Sequence, residues 1–536
     1  MVEKPQSKSI RRRSFIKGIA GTAGVVSIAG CTGETGQNGG GETGQNGGRE
    51  EALIINHQTG PAQLDPHNHS LPEMTDALRC VYDELLFMDQ RNDPPEFRPR
   101  LATDWGYVDD RTFRMEIREG VEWHNGDELT VDDVAFSMRR AAFPEVGGSM
   151  HDQDSWDMIE EVNTDESDNS VIYHLNEEYV LLAQEFSTHE IVNKDWVESH
   201  EQEEISQQTM GTGPYELEDF TPGIEAIFTK FDNYWYGDVA FDRIIFRGAD
   251  EASTRANQVI TGESDVGIGI NPEDFDRVER EDGARIVNFT TDRNEFVGIN
   301  MTVEPFDDRR VRQALNYAVD KEAIVESVMG GRGTVQSQPA PPFWEGHNPD
   351  IEPYPFDPDR AAELLDEAGV SDMDYEFDLP TRTGILPRDL EIAQTVADNV
   401  NQYAPGITLT VQEVDSATFT ETRTASSIEN RYDIYVNDTG GSPPFAGAGK
   451  IDSHIVTTGH SSLSTIEEID EMYREGLTIV DDEERNQYAM ELMRLIHEEA
   501  PWIFLFFRDE GVALSGRVDL EPTPNEDIIP YDIERL

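Results

Sequence analysis

Apolar residues recur along this chain with two periods, one of two residues and one of three to four, and the two kinds of stretch alternate from residue 52 to the C-terminus. Ala52-Leu53-Ile54-Ile55-Asn56 predicts a buried strand, and Thr112 to Arg118 alternates as a half-buried strand does. Leu129-Thr130-Val131-Asp132-Asp133-Val134 predicts a helix start: Thr130 caps, Asp133 completes a capping box, and Leu129 staples to Val134. Val131, Val134, Ala135, Met138 and Ala142 then form one apolar face. Asp308 opens a second helix carrying Val311, Leu315, Ala318, Val325 and Val328, stopped by Gly330-Gly331. Asp357-Pro358 starts a third, with Ala361, Leu364, Leu365 and Ala368 inward and Gly369 as its stop. Ile466–Leu477 and Glu483–Glu499 predict an amphipathic pair, and Pro501 to Phe507 a fully buried strand. Strands and helices alternating over a body this long predict α/β lobes.

The first fifty residues follow neither period. Residues 1–31 read as an export signal, in which a basic start precedes a mild apolar stretch, Gly18 to Gly30, too short to span a bilayer. Arg12-Arg13-Ser14-Phe15-Ile16-Lys17 resembles the twin-arginine export motif. Ser27-Ile28-Ala29-Gly30-Cys31 resembles a lipobox, which makes Cys31 the lipidated first residue of the mature chain. Residues 32–51 contain a duplicated octapeptide, Gly33 to Gly40 and Gly41 to Gly48, rich in Gly and free of apolar side chains. Such a segment is a flexible tether with a root-mean-square reach of roughly 20–25 Å.

Charge changes the picture next. Among 536 residues, 108 Asp and Glu stand against 42 Lys and Arg, a formal net charge of −66. Removing residues 1–30 takes away six cations and one acid, so the mature chain is near −71. A nucleic-acid binder needs a basic footprint, and this composition excludes one. Disorder is excluded as well, since 37% of residues are hydrophobic and they fall in periodic patterns. Only seven of the 42 basic residues are Lys, and the acids are dispersed rather than gathered in a tail. A dispersed acidic coat with little Lys is expected of a protein that works in molar salt, where self-repulsion is screened.

Catalytic signatures do not emerge. No Gly-rich phosphate loop, G-x-S-x-G elbow or H-E-x-x-H helix is present in the sequence, so no enzyme and no cofactor is expected. Carboxylate pairs carry no information among 108 acids. His57, His67 and His69 lack a spaced further ligand, so no metal is expected. Cys80 lies in an apolar run and is expected to be a buried small hydrophobe without a disulfide partner. Asn68, Asn288, Asn300 and Asn437 head glycosylation sequons.

From Ala52 onward a series of blocks occurs in a fixed order. They are Gln63-Leu64-Asp65-Pro66-His67, Leu101-Ala102-Thr103-Asp104-Trp105, Arg118 to Gly126, Gly211-Thr212-Gly213-Pro214-Tyr215 and Asn233 to Gly237. The strongest is Asp308-Arg309-Arg310-Val311-Arg312-Gln313-Ala314-Leu315-Asn316-Tyr317-Ala318-Val319-Asp320. Together they resemble the solute-binding proteins of ABC importers, family 5, the peptide/nickel type that includes dipeptide- and oligopeptide-binding proteins. The resemblance implies an α/β fold of the periplasmic-binding-protein-like type II, two lobes around a ligand cleft with an extra subdomain in lobe one. Lobe one would be 52–298 and 503–536, and lobe two 299–502, with crossings near Val297-Gly298-Ile299-Asn300 and Pro501 to Phe506.

It also implies a function. The chain would be an extracytoplasmic, lipid-anchored monomer on the outer face of the cell membrane. It would capture a peptide or similar polar solute by lobe closure and deliver it to an ABC permease and ATPase. A surface sensor of the same fold, or an importer component for oligosaccharides, are the alternatives. The family meets its ligands with the loop before Leu64-Asp65-Pro66-His67 and with a loop in lobe two. Those positions here are Thr59, Gly60, Pro61 and Ala62, and Asp438, Thr439, Gly440, Gly441 and Phe445. Peptide binders place an Asp in the second loop for the ligand's amino group, which makes Asp438 the expected cation partner. Val436 stands where those binders carry Trp, and Ser442-Pro443 where they carry Asp-Pro.

Overall fold

The strand expected at the start of the body forms over Ala52–His57 with all six residues buried. In the computed structural model, residues 52–69, 72–91, 96–147, 150, 156–382, 388–440, 445, 450–525 and 527–536 are described. Arg12, Arg13, Cys31, the tether and Gly441 lie outside the described residues.

Nine strands form the main sheet: β1 (Ala52–His57), β2 (Tyr215–Thr221), β3 (Glu225–Lys230), β4 (Arg243–Gly248), β5 (Val266–Gly267), β6 (Ala284–Ile299), β7 (Gly333–Val335), β8 (Ile434–Thr439) and β9 (Trp502–Ser515). They lie in the order β8-β6-β9-β5-β1-β4-β3-β2, with β7 also on β9. β1 runs parallel to both β4 and β5. β6 and β9 run antiparallel from Ala284 opposite Ser515 to Gly298 opposite Trp502, with register shifts between Thr290 and Asn294 and between Glu295 and Phe296. Those shifts divide the two long strands. One half pairs beside β5, and the other beside β7 and β8.

A separate antiparallel sheet orders Ala102–Asp109, Thr112–Ile117, Ser170–Leu175 and Ile159–Asp165. Helix Val131–Ala142 packs with its strands in one apolar cluster, and Thr130 and Asp133 form the capping box read from the sequence. Pro358–Ala368 also follows the sequence, with Asp357 as cap and Gly369 left-handed at φ +77°.

The helix opened by Asp308 differs from expectation. It ends at Ala318, and Lys321–Ser327 is a second helix. Val319 is extended, and the Asp320 side chain accepts from Ala323 N, so Asp320 restarts the chain as a new cap. The strand after Pro501 runs twice the expected length, to Ser515.

One apolar cluster draws on residues from Val297 to Phe506 and another on Leu53 to Phe289 with Val512 to Ile533. A third joins residues 85–191 to Phe296, Tyr435, Phe445 and Trp502. Cys80 is buried within the second, where burial first, and then Asp76, push its thiol well up. Gly211 shows why small residues hold one family block: a Cβ there would lie 1.8 Å from Val81 O. Among the described residues, no helix is long and apolar enough to cross a membrane.

Candidate ligand cleft

Three parallel strands end on one side of a cavity of about 480 Å³. Gln58 follows β1, Asp250, Glu251 and Ala252 follow β4, and Ile268 to Pro272 follow β5. Open α/β sheets bind ligands at the carboxyl ends of their strands, because there the loops turn and helix N-termini point outward. Phe275, Phe289 and Met329 give the cavity an apolar wall, and Arg508 to Val512 of β9 cross its base. Its size suits a small solute. Arg255 is fixed beside it by Ala249 O, Asp250 O, Ile268 O and Gly269 O.

Arg508 links this cavity to a buried charge cluster at the neighbouring end of β6 and β8. Only 1% of its side chain is exposed; Nη2 lies 2.6 Å from Glu295 Oε2 and 2.9 Å from Asp389 Oδ1. Glu295 is pushed up to about 7 by burial, against the pull of Arg508. Beside Glu295, Asp438 accepts from Arg293 Nη1 at 2.5 Å on one oxygen and from Arg382 Nη2 on the other. Three carboxylates thus face three guanidiniums, and the cluster is close to neutral. Burial lowers Arg382, opposed by Asp389 and Glu295.

The expected site residues are spread over different surroundings. Thr59 Oγ1 donates to Glu73 at 2.6 Å. Gly60 N donates to Gly223 O, and Pro61 O accepts from Gly223 N, so this loop is docked on the turn at 221–224. A Cβ on Gly60 would lie 2.5 Å from Ile224 backbone atoms, which explains the glycine. Ala62 is exposed, and it is Gln58 that reaches the cavity. Asp438 and Thr439 close β8, Asp438 with its charge already paired and Thr439 half-buried; Gly440 follows exposed. Phe445 is a core side chain, buried against Tyr473 with ring centroids 5.9 Å apart.

Sequence reasoning passed over Gln58, Arg293, Glu295, Arg382, Asp389 and Arg508. One signal was present: Arg508 directly follows seven consecutive apolar or buried positions, where a cation needs a partner to be there at all.

The histidines sit apart from the cleft. His67 Nε2 lies 2.8 Å from Glu190 O, and Nδ1 accepts from Arg140 at 2.9 Å, so both ring nitrogens are engaged. His57 Nε2 pairs with Asp76 at 3.1 Å. No group of three His, Cys, Asp or Glu among the described residues is placed to hold a metal ion. Of the sequon residues, Asn300 and Asn437 are buried while Asn68 and Asn288 are exposed.

Known proteins share this architecture. Residues 96–449 match the model of bacterial extracellular solute-binding proteins, family 5, middle. The heme-binding protein A of Haemophilus influenzae is 24% identical over 472 residues, 82% of this chain and 83% of its own. The dipeptide-binding protein of Escherichia coli is 29% identical over 299 residues, 51% of this chain and 55% of its own. The solved structure of HbpA2 from Haemophilus parasuis superimposes with a TM-score of 0.80 at 22% identity, covering 90% of this chain and 100% of that one. The fold is therefore the type II periplasmic-binding-protein fold, two lobes around a ligand cleft. Strand ends, crossing strands and family model agree: the chain belongs to the extracellular solute-binding proteins of family 5.

Proposed function

We propose that the protein is the extracytoplasmic binding component of an ABC importer, and that it takes a peptide or a similarly polar solute into the cavity beside Arg508. One observation carries this reading. The cavity opens at the carboxyl ends of β1, β4 and β5, and its base is a strand that continues into the charge cluster at Asp438. A solute held there meets β6 at Phe289, β9 from Arg508 to Val512 and Met329 of the other lobe, so binding favours the lobe arrangement that completes the contact. Gln58, Asp250, Glu251, Arg255 and Arg508 line it beside the apolar wall, which supports a cargo that carries polar groups. The curated relative from Escherichia coli is named for dipeptides, in keeping with that cargo.

The lobes divide as 52–298 with 503–536 and 299–502. Apolar clusters confined almost to these ranges support the division. Several contacts bridge the lobes, among them the Arg293–Asp438 and Arg508–Asp389 pairs. Arg332 lies 3.9 Å from the Phe275 ring centroid, and Arg388 Nη2 lies 3.3 Å from Glu273 Oε2. Thr59 to Ala62, Asp438, Thr439 and Gly440 are the segments expected to meet the solute, with Asp438 holding Arg293 and Arg382 in place. Lipidation at Cys31 after twin-arginine export tethers a monomer beside the permease and ATPase, and the acidic coat fits a molar-salt exterior.

Native mass spectrometry of co-purifying small molecules, followed by calorimetry in molar salt with peptides, oligosaccharides and hemin, tests the proposal. Peptide binding with sub-millimolar affinity is expected. Binding of hemin or an oligosaccharide with no peptide binding would replace the cargo.

A further inference from the structure

A cavity of about 250 Å³ lies where the paired strands Leu86–Asp89 and Glu96–Pro99 meet residues 234–239 and the C-terminal turn at Tyr531 and Asp532. It shares no lining residue with the cleft cavity. At its wall Arg100 is 3% exposed, with Cζ 4.5 Å from the Tyr236 ring centroid, 5.1 Å from that of Tyr531 and 5.6 Å from that of Phe87. Ring faces attract a guanidinium but do not replace the acceptors that its N–H groups lose on burial. Nη1 donates to Tyr234 OH at 3.4 Å and Nη2 to Tyr531 OH, while Nε is buried with no acceptor. Among the described residues no carboxylate forms an ion pair with Arg100. Asp83 is reached through Tyr234, whose hydroxyl donates to it at 3.1 Å, and that carboxylate already accepts from Thr212 and Trp235.

The lining charge points the same way. Arg91, Arg98 and Arg100 stand here against Asp238 and Asp532, whereas the cleft cavity sets four acids against two arginines. Both acids are taken, Asp532 by Arg91 at 3.4 Å and Asp238 by Lys230. Asp89 lies between Arg91 and Arg98, 2.8 Å from one and 3.0 Å from the other. A buried donor without an acceptor destabilises the state that contains it. We propose that this cavity holds one small monovalent anion, chloride from the surrounding salt, which accepts from Arg100 Nε. A divalent oxyanion would bring its second charge against Asp89, Asp238 and Asp532. One charge completes Arg100, and a site of modest affinity fills in molar chloride by mass action. The site is separate from the cargo of the cleft, so either can fail while the other stands.

The test uses the full chain at a constant potassium concentration of about 2 M, with gluconate replaced stepwise by chloride, so that screening stays level. From about 10 mM to about 1 M chloride the unfolding equilibrium constant of the wild type should fall about tenfold along a saturating curve. In Arg100→Met it should change by less than about twofold. Arg98 is 44% exposed, and Arg98→Gln should give an intermediate response of about threefold. Wild-type crystals soaked in bromide should show an anomalous peak within hydrogen-bond reach of Arg100. Equal chloride responses in the wild type and Arg100→Met would overturn the proposal. So would the lack of a bromide peak at Arg100, which leaves Nε to a buried water. A peak without a saturating chloride response in the wild type means an adventitious ion only, and overturns it too. If Arg100→Met does not fold, the bromide peak and Arg98→Gln decide, a response in Arg98→Gln equal to that of the wild type overturning the site and a weaker one upholding it.

Discussion

Arg508 both lines the cavity and joins a buried charge cluster. It is buried against two carboxylates, Glu295 and Asp389, which lose their shared cation if it is removed. Replacing one member of a buried ion cluster costs about 3–5 kcal/mol, more than the cluster itself contributes, because an uncompensated charge is left behind. Arg508→Met should therefore lower the unfolding free energy by about that much in chemical denaturation. Adding Glu295→Gln should recover part of the loss, since the second change removes one stranded charge. A second buried group reports on pH. His67 is held down to about 4, first by burial and then by Arg140. Unfolded, it titrates near 6.5, so between about 4 and 6.5 only the unfolded chain takes up the proton. Stability then falls as the pH drops through that window. Glu190, pushed up to about 8 by burial, works in the opposite sense from about 4.5 to 8, so the useful comparison is between variants. His67→Gln can still donate to Glu190 O and accept from Arg140. It should flatten the loss between pH 6.5 and 4.5 by on the order of 2 kcal/mol, read from denaturation at the two pH values. An unchanged slope would mean that His67 titrates normally in the folded chain.

Elements were legible in proportion to how local their causes are. Thr130 with Asp133, and Asp357 with Gly369, act within one helical turn, and both helices form where the sequence puts them. The split at Asp320 is also a local cap, but the apolar positions on either side stay in phase, which hides the break. β6 is the opposite case. Its middle reads Thr290-Thr291-Asp292-Arg293-Asn294, a polar run with no period of two. That run is where the strand changes neighbours, so neither face is steadily buried and no alternation can develop. The cleft shares this difficulty. The family pattern singles out Asp438 and Gly60 as expected site residues, but it does not reveal their partners. Arg293 and Arg382 come from 145 and 56 residues away. Among 108 acids, no pairing can be read from spacing.

At the scale of the whole molecule, charge has two separate parts that respond differently to salt. The outer part is the excess of acids, a net −66 over the chain, most of it on exposed side chains. Surface pairs such as Arg280 with Asp276, 74% and 73% exposed, do little to offset it, since each contributes about 0–1 kcal/mol. At 0.1 M salt the screening length is about 10 Å, and neighbouring carboxylates repel across the surface; at 1 M it is about 3 Å, and they scarcely do. The inner part is the set of buried pairs, Arg508 with Glu295 and Arg140 with Asp65, which dissolved ions reach poorly. Denaturation midpoints should therefore rise steeply from 0.1 M to 2 M potassium chloride. The penalty of Arg508→Met should stay the same at both concentrations within about 0.5 kcal/mol. Equal stability at the two concentrations would remove the molar-salt reading. A penalty that shrinks with salt would instead place Arg508 within reach of solvent, and with it the base of the cavity, as expected of a cleft that opens before its solute arrives.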